Sequence, residues 1–176
     1  MSDWPIIRNV SPVVISPASP GVLGEDLGGM GFTPGSSAWP TSNKAIFIQF
    51  PVYYPVTVYK MFVENGTSVS GNIDVGIYDR GGARIVSKGS TAQSGTSAIQ
   101  EFNITDTVLN PGLYYLAVAM DNTTGHLQRW GSNSVINRGM ACMEATSSFA
   151  LPSSVTFAGI TASYIPYIAA ALRTVI

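Results

Sequence analysis

Few side chains in this sequence could carry out chemistry, and the two most reactive residue types each occur once. His126 and Cys142 lie 16 residues apart, and a Cys–His dyad would need a third group to orient the histidine. The polar segment 123–126, Thr-Thr-Gly-His, predicts an exposed loop for His126. A lone cysteine is more often a buried small side chain than a nucleophile. We therefore predict no nucleophilic site, and a single cysteine excludes an internal disulfide.

The acidic residues are dispersed, which argues against paired-carboxylate and metal chemistry. Glycoside hydrolysis needs two carboxyl groups that face each other across the scissile bond, and a calcium loop places acids at alternating positions. Asp79 and Asp106 lie in turn contexts, where a carboxylate commonly accepts hydrogen bonds from backbone amides. A calcium ion near Asp79, or near Asp121 and Asn122, is the alternative. The acids considered are Glu64, Asp74, Asp79, Glu101, Asp106 and Asp121. We predict that the protein is not an enzyme and holds no cofactor.

Charge is scarce in this chain, and this bears on what it binds. Only 11% of the residues are charged, against roughly 25% in typical soluble domains. The nine basic residues are scattered singly, so no basic stripe predicts binding to nucleic acid. A surface with few ionic groups is suited to burial against other protein, because low charge weakens the repulsion between molecules. We expect other subunits, including copies of the same chain, as partners.

The sequence carries no sign of export or membrane insertion. Its first residues, Met-Ser-Asp-Trp-Pro, lack the basic and apolar regions of a signal peptide. No apolar run reaches the roughly 18 residues of a membrane helix, and the longest, residues 164–176, contains Pro166 and Arg173. We therefore expect a protein that is made and assembled in a cytoplasm and has no membrane partner.

Apolar runs with a strand-like pattern follow one another from residue 44 onward, separated by turns rich in glycine, asparagine and serine. Ile73, Val75 and Ile77 alternate with other residues, as expected for side chains that share one face of a strand. Residues 113–120 are apolar throughout and predict a central strand. Only residues 169–174 could form a helical turn. Strands are predicted at 45–50, 56–64, 72–79, 83–87, 99–104, 113–120, 140–144, 155–157 and 164–168, with one irregular strand within 121–138.

This spacing predicts an all-β fold, an antiparallel sandwich of two sheets. The predicted core comprises Ile46, Ile48, Ile73, Val75, Ile77, Leu116 and Val118. Residues 1–43 differ from the rest, since they hold six prolines and a glycine cluster at 28–31. They predict an extended N-terminal arm, in which residues 10–15 could add as an edge strand. The predicted organisation is therefore an arm, 1–43, followed by a sandwich, 44–176.

Large aromatic side chains in the arm and the loops are the candidate contact residues. One interpretation is that they anchor the chain on a neighbouring subunit, as aromatic residues do at protein interfaces. The other is that exposed rings stack on the faces of sugars. The candidate partner-binding residues are Trp4, Trp39, Tyr53, Tyr54 and Trp130.

Four segments of the chain resemble a known module. They are GNIDVGIYD at 71–79, RIVSKGS at 84–90, QEFNI at 100–104 and PGLYYLA at 111–117. Together they resemble a jelly-roll module of structural proteins in tailed-bacteriophage virions, and also carbohydrate-binding jelly rolls. The resemblance implies a jelly-roll sandwich in a capsid decoration or tail-associated protein that binds other virion subunits. The alternative that it implies is a glycan-binding appendage that contacts a host receptor. It carries no catalytic residue over to this chain.

Overall fold

The computed structural model describes residues 35–130, 142–146 and 148–174, so Trp4 and the first 34 residues of the predicted arm lie outside it. The described residues contain strands and turns but no helix, which confirms the all-β prediction. Residues 169–174, predicted as a possible helical turn, belong to a strand instead. The strands are β1 (Gly35–Ala38), β2 (Ala45–Val52), β3 (Val56–Glu64), β4 (Asn72–Asp79), β5 (Arg84–Ser87), β6 (Thr91–Ala92), β7 (Ile99–Leu109), β8 (Gly112–Met120), β9 (His126–Trp130), β10 (Met143–Ala145), β11 (Ala158–Gly159), β12 (Ile165–Pro166) and β13 (Ile168–Thr174).

The largest sheet is antiparallel, with the strand order β11-β10-β2-β8-β4-β5 and with β6 paired to β4. β8 lies between β2 and β4, pairing Leu116 with Ile48 on one side and Val118 with Val75 on the other. A strand in this position is covered on both faces, so every residue from Tyr115 to Met120 is buried. The prediction of a central strand at 113–120 is therefore confirmed.

A second antiparallel sheet, with the order β13-β3-β7, packs on one face of the large sheet. The side chains between the two sheets form the main core, which includes Met61 from β3 and Phe102 from β7. Burial of this apolar surface stabilises the fold by about 25 cal/mol per Å² removed from water. All seven predicted core residues have no exposed surface, and those predictions are confirmed: Ile46, Ile48, Ile73, Val75, Ile77, Leu116 and Val118.

The other face of the large sheet is also covered, by a segment with little regular structure. Leu151 and Phe157 from this segment pack among Phe47, Tyr78 and Tyr115 of the sheet. Backbone and side-chain hydrogen bonds fix it in place, including one of 2.5 Å from the Tyr78 hydroxyl to the carbonyl of residue 152. The strand predicted at 155–157 is thus a covering segment, held at its edges by hydrogen bonds to the β4–β5 turn.

A small third sheet, β1-β9-β12, shows that the predicted boundary between arm and sandwich is misplaced. β1 pairs with β9 from Gly35↔Arg129 to Ala38↔His126, so residues 35–43 belong to the folded body. Arg129 ties the strands together, since its Nε donates to Ser37 Oγ at 2.9 Å and one Nη donates to the Ser163 carbonyl at 2.9 Å. The four residues of β1, Gly-Ser-Ser-Ala, form no alternating apolar pattern, so the sequence did not predict this strand.

The antiparallel strands give the sandwich two ends that differ in their connections. At one end lie the turn between β2 and β3 and the turn between β7 and β8, because Val56 pairs with Leu109 and Val52 with Gly112. At the other end Glu64 pairs with Ile99 and Ala45 with Ala119. No helix in the described ranges is long and apolar enough to cross a membrane.

Candidate binding surface

The turn between β2 and β3 projects two tyrosine rings into solvent. Val52 and Val56 are buried on either side of it, so the chain is anchored on both flanks. Tyr53 is 72% exposed and Tyr54 is 41% exposed. Pro55 follows them and fixes the backbone into the next strand. The structure thus places these two predicted contact residues at an accessible position.

The neighbouring turn between β7 and β8 continues this surface. Val108, near the end of β7, is 58% exposed and lies opposite Thr57 of β3. Tyr114 is half-buried, and its hydroxyl donates to the Asn110 carbonyl at 2.9 Å. Neither contributing segment, 50–58 or 107–115, contains a charged residue or a histidine. We call the surface formed by Tyr53, Tyr54 and Val108 the tyrosine end.

Charged side chains lie at the margin of the tyrosine end. Arg173 of β13 pairs with Asp106 of β7 across the outer face of β3, and its guanidinium lies 5.1 Å from the ring centre of Tyr59. An apolar centre bordered by polar groups is the usual anatomy of a protein–protein contact. Asp106 had been predicted to cap a turn; that prediction is wrong, because it lies within a strand and forms an ion pair.

The opposite end is closed by a buried cluster of three side-chain amides, Asn65, Gln93 and Gln100, which we call the amide cluster. Asn65 donates to Gln100 Oε1 at 3.0 Å and accepts from Gln93 Nε2 at 2.9 Å. The same groups reach the backbone, including the Ser94 carbonyl at 2.6 Å and the His126 carbonyl at 2.7 Å. The cluster therefore fixes several loops to one another. Sequence reasoning missed it, because nothing local marks polar residues that are 28 and 35 positions apart.

The prediction that Trp39 and Trp130 contact a partner is wrong, because the chain itself buries both side chains. Trp39 is 1% exposed, donates its indole N–H to the Lys44 carbonyl at 3.2 Å and packs edge-on against Tyr164. Trp130 is 6% exposed and lies against Tyr167. Both belong to the main core. An isolated tryptophan beside proline and polar residues had suggested a loop, whereas the third sheet folds over the end of the sandwich and encloses both rings.

His126 takes part in a contact that joins two segments of the chain, and Cys142 is buried. The His126 ring contacts Ser36 through Nδ1 at 3.1 Å, and that serine oxygen also accepts the Thr67 backbone N–H at 2.8 Å. Because Ser36 accepts this backbone N–H, it joins β1 to the loop at residue 67. Among the described contacts, the His126 ring has no carboxylate partner. Burial raises the pKa of Cys142 to about 12, so its thiol stays protonated at neutral pH.

Three aspartate carboxylates, those of Asp74, Asp79 and Asp121, accept hydrogen bonds that hold the fold together. Asp79 caps its turn as predicted, accepting the Ala83 N–H at 2.9 Å. Asp121 accepts amide donors from Asn72 and Asn122, which outweigh the effect of burial and lower its pKa. Burial raises the pKa of Asp74, although it accepts two backbone N–H groups. Among the described residues no three acidic, histidine or cysteine side chains come together as metal ligands.

Comparison of the chain with protein-family models, with curated proteins and with solved structures found no match. The functional argument therefore depends on the surfaces of the molecule itself.

Proposed function

We propose that this protein is a non-enzymatic structural subunit of a bacteriophage particle, and that it binds neighbouring subunits through the tyrosine end. The observation that carries the proposal is the exposure of Tyr53 and Tyr54 beside two turns whose segments, 50–58 and 107–115, contain no charged residue. Tyrosine loses little side-chain entropy on binding and buries a large ring, so it is enriched among the residues that dominate protein interfaces. The partner surface must offer an apolar recess for these rings.

The pairing of strands supports a jelly roll, which the sequence resemblance implies for a virion protein. β2 pairs with β8, β3 with β7, and β4 with β6. These three pairs are nested along the chain around β5, as they are when one long hairpin is wound into two facing sheets. The low content of charge is consistent with a place in a particle, in which much of the surface contacts other protein.

A second candidate is a carbohydrate-binding module that contacts a host receptor. The exposed rings of Tyr53 and Tyr54 favour it as well, because an accessible aromatic face can stack on a sugar ring. Trp130, the other aromatic residue expected to take part, is buried and cannot contribute. The tyrosine end also has few polar groups to bind sugar hydroxyls, so we place this function second.

The test compares incorporation into particles for the intact chain and for the variant Tyr53→Ser/Tyr54→Ser. The matched control is Ile99→Ser, which removes a 66%-exposed apolar side chain at the opposite end of the sandwich. Co-sedimentation with particles assembled without this protein should fall at least about 30-fold for the tyrosine variant, the effect of losing one strong anchor. The control should sediment as the intact chain does.

A glycan-array measurement on the same proteins separates the two candidates. Normal incorporation of the tyrosine variant together with lost glycan binding would replace the first candidate by the second. Normal incorporation with no glycan binding by any of the proteins would refute both roles of the tyrosine end.

The predicted N-terminal arm is proposed as a further contact with neighbouring subunits. Because the folded body begins at residue 35, deletion of residues 1–34 tests this contact. The shortened chain should lose incorporation into particles while the sandwich still folds.

A further inference from the structure

A shallow apolar groove lies at the tyrosine end, lined by residues of β2, β3, β13 and the turn between β2 and β3. Phe50, Val52 and Val56 of its lining belong to the main core, and Leu172 packs against that core. Both tyrosines of this end line the groove as well, and every lining residue is apolar or aromatic. The main core therefore reaches the surface here.

The shape of the groove limits what it can bind. Its volume is only about 10 Å³, whereas sites that enclose a small molecule have roughly 300–1,000 Å³. Leu172 lies opposite Val58, two residues further from the turn than Val56, which is about 7 Å along the strand. An occupant must therefore lie along the surface, as an extended peptide does.

The chemistry of the lining selects an uncharged occupant. A charged side chain placed against it would lose hydration without gaining an ionic partner, because no charged residue lines the groove and Arg173 at its margin already pairs with Asp106. Among the described residues, neither the Tyr53 nor the Tyr54 hydroxyl has a hydrogen-bond partner. Each hydroxyl can therefore donate to a backbone carbonyl of a bound peptide.

The predicted arm contains a segment with this chemistry, outside the described residues. Residues 9–24 include no charged residue, and within them 17–20 reads Pro-Ala-Ser-Pro, which holds the only two prolines of the sequence that are three positions apart. In a polyproline II helix two such prolines lie on the same face, about 9 Å apart. Sequences of the form Pro-x-x-Pro bind grooves lined by aromatic residues in this conformation.

The place where the arm joins the folded body favours a groove on another copy. Gly35 pairs with Arg129, which also pairs with Pro166, two residues before β13 begins opposite Val63. This junction is about 23 Å along β3 from Val56 and the tyrosine end. Residues 21–34 can span at most about 50 Å, which reaches the tyrosine end of a copy stacked on this junction. To reach its own groove, the arm would have to turn back along the whole sandwich.

We propose that residues 17–20 of one copy bind in the apolar groove of a second copy. The inference rests on the proposed function, in which the tyrosine end binds a neighbouring subunit, and it identifies that neighbour as the same chain. Because the arm and the groove lie at opposite ends of the sandwich, each copy supplies one arm and accepts one. A head-to-tail contact of this kind builds a ring where the rotation closes and a filament where it does not.

The first test is binding of a fluorescein-labelled peptide of residues 9–24, measured by fluorescence polarisation. The receptor is the full-length chain with Pro17→Asp/Pro20→Asp, so that its own arm does not compete. Binding should be saturable, and adding Tyr53→Ser/Tyr54→Ser to the receptor should weaken it at least about tenfold. Adding Ile99→Ser, at the opposite end of the sandwich, is the matched control and should leave it unchanged.

The second test is sedimentation velocity of the full-length proteins. The intact chain should form oligomers that grow with concentration, whereas Pro17→Asp/Pro20→Asp and Tyr53→Ser/Tyr54→Ser should each be monomeric. An equal mixture of these two variants should give a 1:1 pair, because one supplies the groove and the other supplies the arm. Ser2→Asp/Pro5→Asp adds the same charge at the same spacing elsewhere in the arm, and should assemble as the intact chain does.

Three results would overturn the proposal. The first is no saturable peptide binding, or equal binding by the tyrosine variant. The second is peptide binding with an intact chain that stays monomeric up to roughly 100 µM, which would assign the groove to the arm of the same chain. The third is peptide binding that appears only after Val175→Ser/Ile176→Ser, which would assign the groove to the last two residues of the chain.

Failure of this inference is distinguishable from failure of the proposed function. If the peptide does not bind while Tyr53→Ser/Tyr54→Ser still prevents incorporation into particles, the inference is wrong and the proposed function stands. If the peptide binds while the same variant is incorporated normally, the arm contact stands and the proposed function is wrong.

Discussion

The two ends of the sandwich differ in the kind of side chain they hold and in how exposed those side chains are. At one end the amides of Asn65, Gln93 and Gln100 are buried and bonded to one another and to the loops around them. At the other end Tyr53 and Tyr54 are exposed and lie beside apolar residues that include Pro51 and Leu172. Polar groups are buried where the chain must hold its loops, and aromatic groups are exposed where it can meet a partner.

This contrast teaches that exposure, and not residue type, separates the residues that hold the fold from those that we propose contact a partner. A buried amide that loses its partner costs about 1–3 kcal/mol, so the amide cluster should matter greatly for stability. An exposed tyrosine contributes little to the free energy of folding, and the apolar area of its ring can still be buried against a partner. Substitutions at the two ends should therefore affect different measurements.

The largest loss of stability is expected from Lys44→Met, at the end of the sandwich that holds the amide cluster. The change leaves Glu144 buried without its cation, which costs about 3–5 kcal/mol at neutral pH. In the intact protein, hydrogen bonds from Lys44 and Thr161 outweigh burial and lower the pKa of Glu144. That stabilisation is present above the ordinary pKa of glutamate and is lost as pH falls through the folded-state value.

In the Lys44→Met variant burial dominates and the pKa of Glu144 rises, so protonation favours the folded state and the deficit should shrink toward pH 4. Urea unfolding at both pH values measures this. The control is Lys60→Met, which breaks the exposed pair with Glu101 and should cost at most about 1 kcal/mol. Equal losses for the two variants would show that the buried pair does not stabilise the end.

The next largest effect is expected from Asn65→Leu, within the amide cluster. It removes hydrogen-bond partners from Gln93 and Gln100, whose amides then remain buried, and from the carbonyl of Ser94. The free energy of unfolding should fall by about 2–3 kcal/mol. Asn103→Leu, at an exposed position of β7, should stay within about 0.5 kcal/mol. A small loss for Asn65→Leu would mean that water replaces the missing amide.

Two glycine substitutions compare how strictly the backbone is constrained at the two ends of the sandwich. Gly71 has φ of +64°, and an added Cβ would clash with the side chains of Asn122 and Asp121. Gly71→Ala should therefore cost about 1–3 kcal/mol. Gly112, beside the tyrosine end, would bring a Cβ only to 3.4 Å from the Tyr114 ring, so Gly112→Ala should change stability by less than about 1 kcal/mol. Thermal unfolding of both variants is the measurement, and a larger loss at Gly112 would contradict it.

The smallest effect on folding is expected from Tyr53→Ser. This side chain is 72% exposed, so the free energy of unfolding should change by less than about 0.5 kcal/mol. The same urea titration that is used for Asn65→Leu measures it. A loss above about 1 kcal/mol would show that Tyr53 is a folding residue and would remove the distinction between the two ends.

The sequence predicted the elements whose patterns are local. Alternation at Ile73, Val75 and Ile77 and the apolar run at 113–120 identified two strands of the large sheet, and their burial is confirmed. β7 was predicted to end at residue 104 but continues to Leu109. Its second half was missed because Thr105, Asp106 and Thr107 interrupt the apolar pattern, whereas pairing with β3 supplies the hydrogen bonds there.

The candidate surface was predicted only in part, because local sequence patterns do not predict contacts between segments that are far apart in the chain. Tyr53 and Tyr54 could be recognised as aromatic residues between prolines, but Trp39, beside Pro40, and Trp130, beside Gly131, also suggested loops and are buried. What distinguishes them is the third sheet, which pairs residues about 90 positions apart. Val108 was missed, although the lack of charge in both 50–58 and 107–115 could have indicated a shared surface.

The nested pairing of β2 with β8, β3 with β7 and β4 with β6 has a consequence for the time course of synthesis. β8 fills the position between β2 and β4, yet it leaves the ribosome after both of them and after β7. At about 5–20 residues per second, β2 waits on the order of several seconds for its partner. During that wait its apolar residues can pair with a neighbouring nascent chain, so dense polysomes should favour exchange of strands between copies.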